Sequence, residues 1–230
     1  MSKKIIVLSL GGSLIIPDNI DVNFLKKFKQ VINKNTKNYK FIIVTGGGSI
    51  ARKYIHALKS IGISEKLQSM IGISSTRTNA RFMSYFFNQD QDEGIPQQIK
   101  TVEKYIKEKD VVFCGALEYK ENQTSDATAV ALASHFKTEF INLTNVPGLY
   151  NKNPFEHKDA KFLPKISPEE LYKMSNSKKY TPGQNFIIDQ TASRNILKNK
   201  IRTYILGKDL KQLDNLLNNK KFKGTIIKPN

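Results

Sequence analysis

FIIVTGGGSIARKYI, Phe41 to Ile55, decides how the rest of the chain is read. A run of β-branched and aromatic residues reads as a buried strand, Phe41 to Thr45. It stops at Gly46, Gly47 and Gly48, and Ser49 then opens a helix as its N-cap, running to Ser60, with Arg52 one turn in. Glycine after a strand lets the backbone take positive φ and lets a ligand approach with no Cβ in the way. A helix starting there aims N–H groups and partial positive charge at that ligand. Arg52 adds a donor suited to phosphate oxygens. The stretch is neither GxxxxGK[ST] nor GxGxxG. By itself it fits an anion cradle and an empty tight turn equally.

Working outward, strands and helices alternate. Ile5 to Leu10 reads as a buried strand, followed by Gly11, Gly12 and Ser13. Asp21 caps a helix carrying Phe24, Leu25, Phe28, Val31 and Ile32 at i, i+3, i+4 spacing. Ser64 to Asn88 reads as a long helix, Asp110 to Cys114 as a strand, Thr124 to Phe136 as a buried helix and Glu139 to Leu143 as a strand. Ser167, Pro168 and Glu170 form a capping box that starts another helix. Gln190 to Asn199 and Asp209 to Leu217 read as helices around a strand, Ile201 to Leu206, and Thr225 to Lys228 as a closing edge strand. The alternation predicts the α/β class: an open, mainly parallel twisted sheet with helices on both faces. Such sheets bind ligands at the carboxyl ends of their strands. That rule puts four loops on one edge: Gly11–Ser13, Gly46–Ser49, Gly115–Ser125 and Thr144–Asn153. The third ends in NQTSDATAVALA, where Thr124 and Ser125 reach the start of a helix and Asp126 follows; an ordinary N-cap is the competing reading. The fourth, LTNVPGLYNKNP, presents Thr144, Asn145 and Tyr150, residue types that suit a nucleoside as well as a polar turn.

Composition narrows the classes. The 230 residues carry 37 Lys and Arg against 20 Asp and Glu, a net charge of +17. The lysines are spread along the chain with no RNP-like motif, so a solvated basic surface is favoured over nucleic-acid binding. Cys114, the single cysteine, lies in the apolar VVFCGA and reads as an inert buried thiol; His56, His135 and His157 show no metal-ligand spacing. The start, KKIIVLSLGGSLII, imitates a signal peptide, but Gly11 to Ser13 split the apolar run and Pro17 follows without a cleavage site. No run reaches transmembrane length. A soluble, cytoplasmic protein is expected.

In order along the chain, GGS after the first strand, VTGGGSIARKYI, IGISSTRTNARFM, TSDATAVALA, LTNVPGLYNKNP, DAKFLPKISPEELYKM, FIIDQTASRNI and GTIIKP resemble the amino acid kinase family, most closely its archaeal-type uridylate (UMP) kinase branch. The resemblance covers nearly the whole chain. It implies a three-layer sandwich with an acceptor-binding lobe (1–143) and an ATP-binding lobe (144–230), ATP and UMP as substrates, Mg²⁺ carried mainly on ATP phosphates, and a homo-oligomer, usually a hexamer. Carried over by position, Gly11, Gly12, Ser13, Gly48, Arg52, Thr144, Asn145, Tyr150 and Asn153 contact ATP. Gly47, Ser69, Asn122, Gln123, Thr124 and Ser125 contact UMP, and Arg52 meets the transferred group. Asp126 is the further catalytic candidate, holding the loop lysines or a Mg²⁺-bound water. Four positions depart from the family pattern. Ser9 stands where the superfamily often has lysine, Ser69 where an acid meets the ribose, and Pro147 and Asn153 replace aspartates. The loop GALEYKENQTSD has one glycine and no proline. These departures leave room for another small phosphate or carboxylate acceptor, and for a nucleotide-binding regulatory or storage protein without turnover.

Overall fold

The computed structural model describes residues 3–89, 94–119, 124–152, 154, 157–176 and 188–229. Strand β1 (Lys4–Leu10) is the axis, because its last five residues are buried on both faces. A parallel strand covered by helices on each side must be apolar throughout, and VLSL meets that except at Ser9. β2 (Tyr39–Thr45) pairs with it on one side and β4 (Phe140–Leu143) on the other, both parallel. β3 (Val111–Cys114) lies beyond β2, and β8 (Thr203–Leu206) beyond β4. The described sheet has seven strands in the order β3-β2-β1-β4-β8-β9-β7. The expected open, mainly parallel α/β sheet is therefore present.

One helix layer holds α1 (Gly12–Ile15), α2 (Val22–Asn35), α4 (Glu65–Phe86) and α9 (Leu210–Leu217), packed on Leu8, Leu10, Phe41, Ile43 and Leu206. The other holds α5 (Ile99–Glu108), α6 (Ser125–His135), α7 (Pro168–Ser175) and α8 (Gln190–Asn199), packed on Val7, Ile42, Val44, Phe140 and Ile205. Successive strand residues feed opposite layers, as a period of two requires. Several sequence expectations hold in detail. Asp21 accepts from the Phe24 N–H, 3.0 Å, and Ser167 with Glu170 forms the capping box ahead of α7. Cys114 is fully buried, and burial pushes its thiol up to about 12, so it is inert.

Two expectations are corrected, and one helix falls outside them. β9 (Thr225–Ile227) is not the sheet edge: it runs antiparallel to β8 and pairs on its other side with β7 (Lys165–Ile166). β7 has two residues, too few for any periodic signal. Ser49 is not the N-cap of α3 (Gly48–Ser60); Gly47 is. α5 has no counterpart among the sequence-based elements, although Val102, Tyr105 and Ile106 supply a buried helical stripe. Beyond β4 the chain makes a small antiparallel ladder, β5 (Leu149–Tyr150) with β6 (Phe162–Leu163).

Candidate active site at the glycine edge

The parallel register carries the carboxyl ends of five strands to one edge. Leu10 lies beside Thr45 and Leu143, Val44 beside Cys114, and Leu143 beside Leu206. The two glycine turns meet backbone to backbone there. A Cβ on Gly12 would lie 2.0 Å from the Gly48 nitrogen, and one on Gly46 2.5 Å from the Gly12 nitrogen. Gly48 has φ +67°, a conformation that side chains resist. Gly11 closes the gap to the fourth loop: its N–H donates to the Leu143 carbonyl, 3.0 Å. Gly46 and Gly48 are thus needed first for contact with another loop, and only then for room beside a ligand, whereas a Cβ on Gly47 would strike Ala51 Cβ, 2.4 Å away.

α4 fixes the second and third loops from below. Asn79 Nδ2 donates to the Gly46 carbonyl, 2.7 Å, and Thr45 Oγ1 to the Thr76 carbonyl, 2.8 Å. Thr76 Oγ1 accepts from the Ala116 N–H, 2.9 Å, while Arg77 Nε donates to the Ala116 carbonyl, 3.0 Å. Thr76 and Asn79 are buried, so these bonds answer groups that water cannot reach. The polar run SSTRTNA inside a helix is explained by this latching; composition alone gives no reason for it. Gly47 faces the same helix, since a Cβ there would lie 3.7 Å from the Gly72 carbonyl and from Ser75 Cβ. Ser69, half-buried, sits three residues before Gly72, hence on that face.

In the first turn of α3, Arg52 is half-buried, and among the described residues no carboxylate pairs with it. Ser49 donates its N–H to the Ile16 carbonyl, 3.2 Å, while its buried hydroxyl has no hydrogen-bond partner. Ser13 is half-buried in the short helix α1, on the Gly12 side of the junction.

The third loop supplies a side-chain network. Ser9, fully buried, donates from Oγ to Asp126 Oδ1, 2.6 Å, tying the start of α6 to the end of β1. Thr124 caps α6 by accepting from the Asp126 and Ala127 N–H groups, 3.1 and 3.3 Å, and donates its hydroxyl to Asp189. Asp189 in turn caps α8, accepting from the Thr191 and Ala192 N–H groups, 2.8 and 2.9 Å. Burial pushes the Asp126 carboxyl up to about 7; the Ser9 hydrogen bond opposes this and the charge of Asp189 adds to it. Asp189 is raised as well, again chiefly by burial. Ser125 is half-buried beside them. Asp189 is the site residue that sequence reasoning missed. DQTAS signals an N-cap, but nothing local says that its carboxylate meets Thr124, 65 residues away in sequence.

The fourth loop follows β4. Thr144 donates its N–H to the Leu206 carbonyl, 2.9 Å, and Tyr150 packs edge-on against Phe162, 5.4 Å between ring centroids. Asn145 is exposed. Thr225 Oγ1 accepts from the Leu149 N–H, 2.8 Å, and donates to the Leu163 carbonyl, 2.6 Å, anchoring the loop on β9. Asn122, Gln123 and Asn153 lie outside the described residues. Among those described, no three His, Cys, Asp or Glu side chains come together as a metal cage. Asp126 and Asp189 do supply two neighbouring carboxylates, which suits Mg²⁺ carried mainly on phosphate oxygens.

The edge can hold two anions: backbone N–H groups at glycine turns and a guanidinium with no carboxylate partner among the described residues attract phosphates, while two carboxylates balance a cation. Comparison with known proteins identifies the family. Residues 4–207 match the amino acid kinase family. The chain is 31% identical to the uridylate kinase of Thermococcus onnurineus over 97% of its length and 99% of the relative's. It is 33% identical to that of Thermoplasma volcanium, over 94% and 93%. The crystal structure of uridylate kinase from Archaeoglobus fulgidus superposes with a TM-score of 0.83 at 30% identity, covering 96% of this chain and 99% of that one. UMP kinase from Ureaplasma parvum, 22% identical with a TM-score of 0.79, shares the fold. The glycine junction, the parallel sheet and the match along nearly the whole chain lead to one conclusion: this chain is a member of the amino acid kinase family.

Proposed function

We infer that the protein is a UMP kinase, a phosphotransferase that moves the γ-phosphoryl group of ATP to UMP and releases UDP and ADP. The observation that carries this reading is the contact of the Gly12 and Gly48 turns beside Arg52 and the Asp126 corner, in a chain about 30% identical to uridylate kinases along their full length.

A UMP phosphate oxygen is already an anionic nucleophile, so transfer needs no general base. It attacks the γ-phosphorus; the bond to the bridging oxygen breaks and the electrons leave with ADP. The protein's task is to hold both ligands in line and to spread the charge of the moving group. Arg52 and the start of α3 face that charge, with Gly11, Gly12, Ser13 and Gly48 holding the donor's phosphates. Gly47, Thr124 and Ser125 hold the acceptor's phosphate, with Ser69, Asn122 and Gln123 on the nucleoside side. Thr144, Asn145, Tyr150 and Asn153 take the adenosine. Mg²⁺, when bound, draws charge from the phosphate oxygens. Asp126 and Asp189 are the carboxylates placed to hold it, and Ser9 orients Asp126 where many relatives use a lysine. The reading extends to lobes meeting near residue 143, to a cytoplasmic homo-oligomer, hexameric by resemblance, and to no membrane partner. Among the described residues no helix is long and apolar enough to cross a membrane.

The test is an ADP-release assay with ATP, Mg²⁺ and each nucleoside monophosphate in turn. UDP formation from UMP in preference to the others is expected. Turnover confined to a different acceptor would move the substrate assignment, and tight ATP binding without turnover would remove the enzyme.

A further inference from the structure

A second concave site lies away from the glycine edge, where β8 begins instead of where it ends. It is a groove of about 400 Å³ lined by Lys165, Arg202, Lys220 and Lys228, with no acidic residue in its wall. Its floor is apolar, formed by Tyr204, Phe222 and Ile226 together with Leu216 of α9. The sheet register explains the clustering. Tyr204 pairs with Ile226 and Ile226 with Lys165, so one row crosses β8, β9 and β7. Arg202 and Lys228 each lie one residue beyond the last pair of that ladder, Thr203 and Ile227, and both line the groove. Like charges lining one groove repel one another. Compensation is partial. Glu139 accepts from Lys4, 2.6 Å, and Tyr204, 3.1 Å, and reaches Arg202 at 3.7 Å, while Lys220 is near enough to Asp214 to act on its carboxyl. Among the described residues Lys165, Lys220 and Lys228 form no ion pair.

A walled cleft of one sign concentrates counter-ions, and the volume lies in the range of small-molecule pockets. The floor is rigid: Tyr204 is buried, its hydroxyl is held by Glu139, and its ring packs edge-on against Phe222, 6.0 Å between centroids. We propose that this groove is a binding site for a small polyphosphate ligand, separate from the catalytic edge. The four cations take the phosphate chain, and the Phe222 and Ile226 surface is open to any apolar or planar group attached to it. The inference does not depend on which acceptor the enzyme phosphorylates.

The experiment uses the whole protein with ¹³C-labelled isoleucine and leucine methyl groups, titrated with inorganic triphosphate and separately with UTP. Ile226 and Leu216 are expected to shift along saturable curves distinct from that of Ile16 beside the glycine turns. The double variant K220E/K228E should weaken those curves tenfold or more and leave basal phosphoryl transfer unchanged; K220Q/K228Q, a milder pair, should weaken them in the same direction. Equal binding of the two ligands makes phosphate alone the determinant, while tighter UTP binding adds the base; either result supports the site. Shifts confined to Ile16, or curves that ignore both double variants, overturn it. So does binding of a single-stranded oligonucleotide in the groove with no response to triphosphate.

Discussion

The two sides of the catalytic edge are built on opposite principles. At the junction of the first and second loops, backbone packs on backbone, and specificity comes from the absence of side chains at Gly12, Gly46 and Gly48. At the third loop, side chains make the links: Ser9 on β1 bonds to Asp126, and Thr124, which caps the helix that carries Asp126, bonds to Asp189. The first side is intolerant of added volume. The second tolerates shape changes but not a change of charge or hydrogen-bonding capacity. In the proposed mechanism the substrate pair bridges both, and each side can be broken separately.

The largest effect is expected at the glycines. In Gly12→Ala the new methyl would lie 2.0 Å from the Gly48 nitrogen, and neither backbone can yield without moving a strand end. Destabilisation above about 3 kcal/mol is expected in chemical denaturation. Gly62→Ala makes the comparison sharp. Gly62 has positive φ, +75°, which Gly12 does not, and nothing lies within 4 Å of its missing Cβ. Only the conformational cost of about 1–2 kcal/mol applies there. A loss at Gly12 no larger than that at Gly62 would show that the close backbone contact of the glycine junction yields easily.

Next comes Arg52. Its guanidinium has no carboxylate partner among the described residues, so its removal costs the fold little. Arg52→Ala is expected to lower kcat on the order of 100-fold through lost electrostatic stabilisation, with the melting temperature nearly unchanged. Turnover like that of the unmodified protein would take Arg52 out of the mechanism.

The side-chain corner should respond through charge. The Asp126 carboxyl is raised from 3.8 to about 7, so between those values the folded chain binds more protons than the unfolded one. Stability then falls as pH rises across that window, and the penalty is fully present above about 7. Asp126→Asn removes this slope. Its melting temperature should gain on that of the native chain as pH goes from 4 to 7, while activity drops roughly 10–100-fold, as when a group orienting a charged centre is lost. Parallel melting curves across the window would place the Asp126 carboxyl in water.

The same contrast explains what the sequence reveals. The glycine edge is legible because strand pattern and glycine punctuation are local, and the order of elements places four loops together. Arg52, Asp126 and Thr124 can be singled out because each starts a helix behind such a loop. The Asp189–Thr124 bond is not legible, since both residues have a sufficient local role as N-caps and neither signals the other. The interior place of β9 escapes for a similar reason: its outer partner is only Lys165 and Ile166. α5 is a different case. IKTVEKYIKE carries its own amphipathic stripe, and the signal was available locally.

The smallest effect is expected at Ser49, where the two principles meet. Ser49 is 4% exposed, and among the described residues its buried hydroxyl has no hydrogen-bond partner. A buried hydroxyl with no hydrogen bond is unfavourable, whereas a methyl of nearly the same size is not. Ser49→Ala should therefore leave stability unchanged or raise it by up to about 1 kcal/mol in denaturant titrations. If phosphates fill the edge, the hydroxyl gains an acceptor there, and the variant's KM for ATP or UMP should rise severalfold while its ligand-free stability does not fall. A loss of stability above about 1 kcal/mol without ligand would mean that the hydroxyl already has a partner, and that the glycine junction relies on side chains after all.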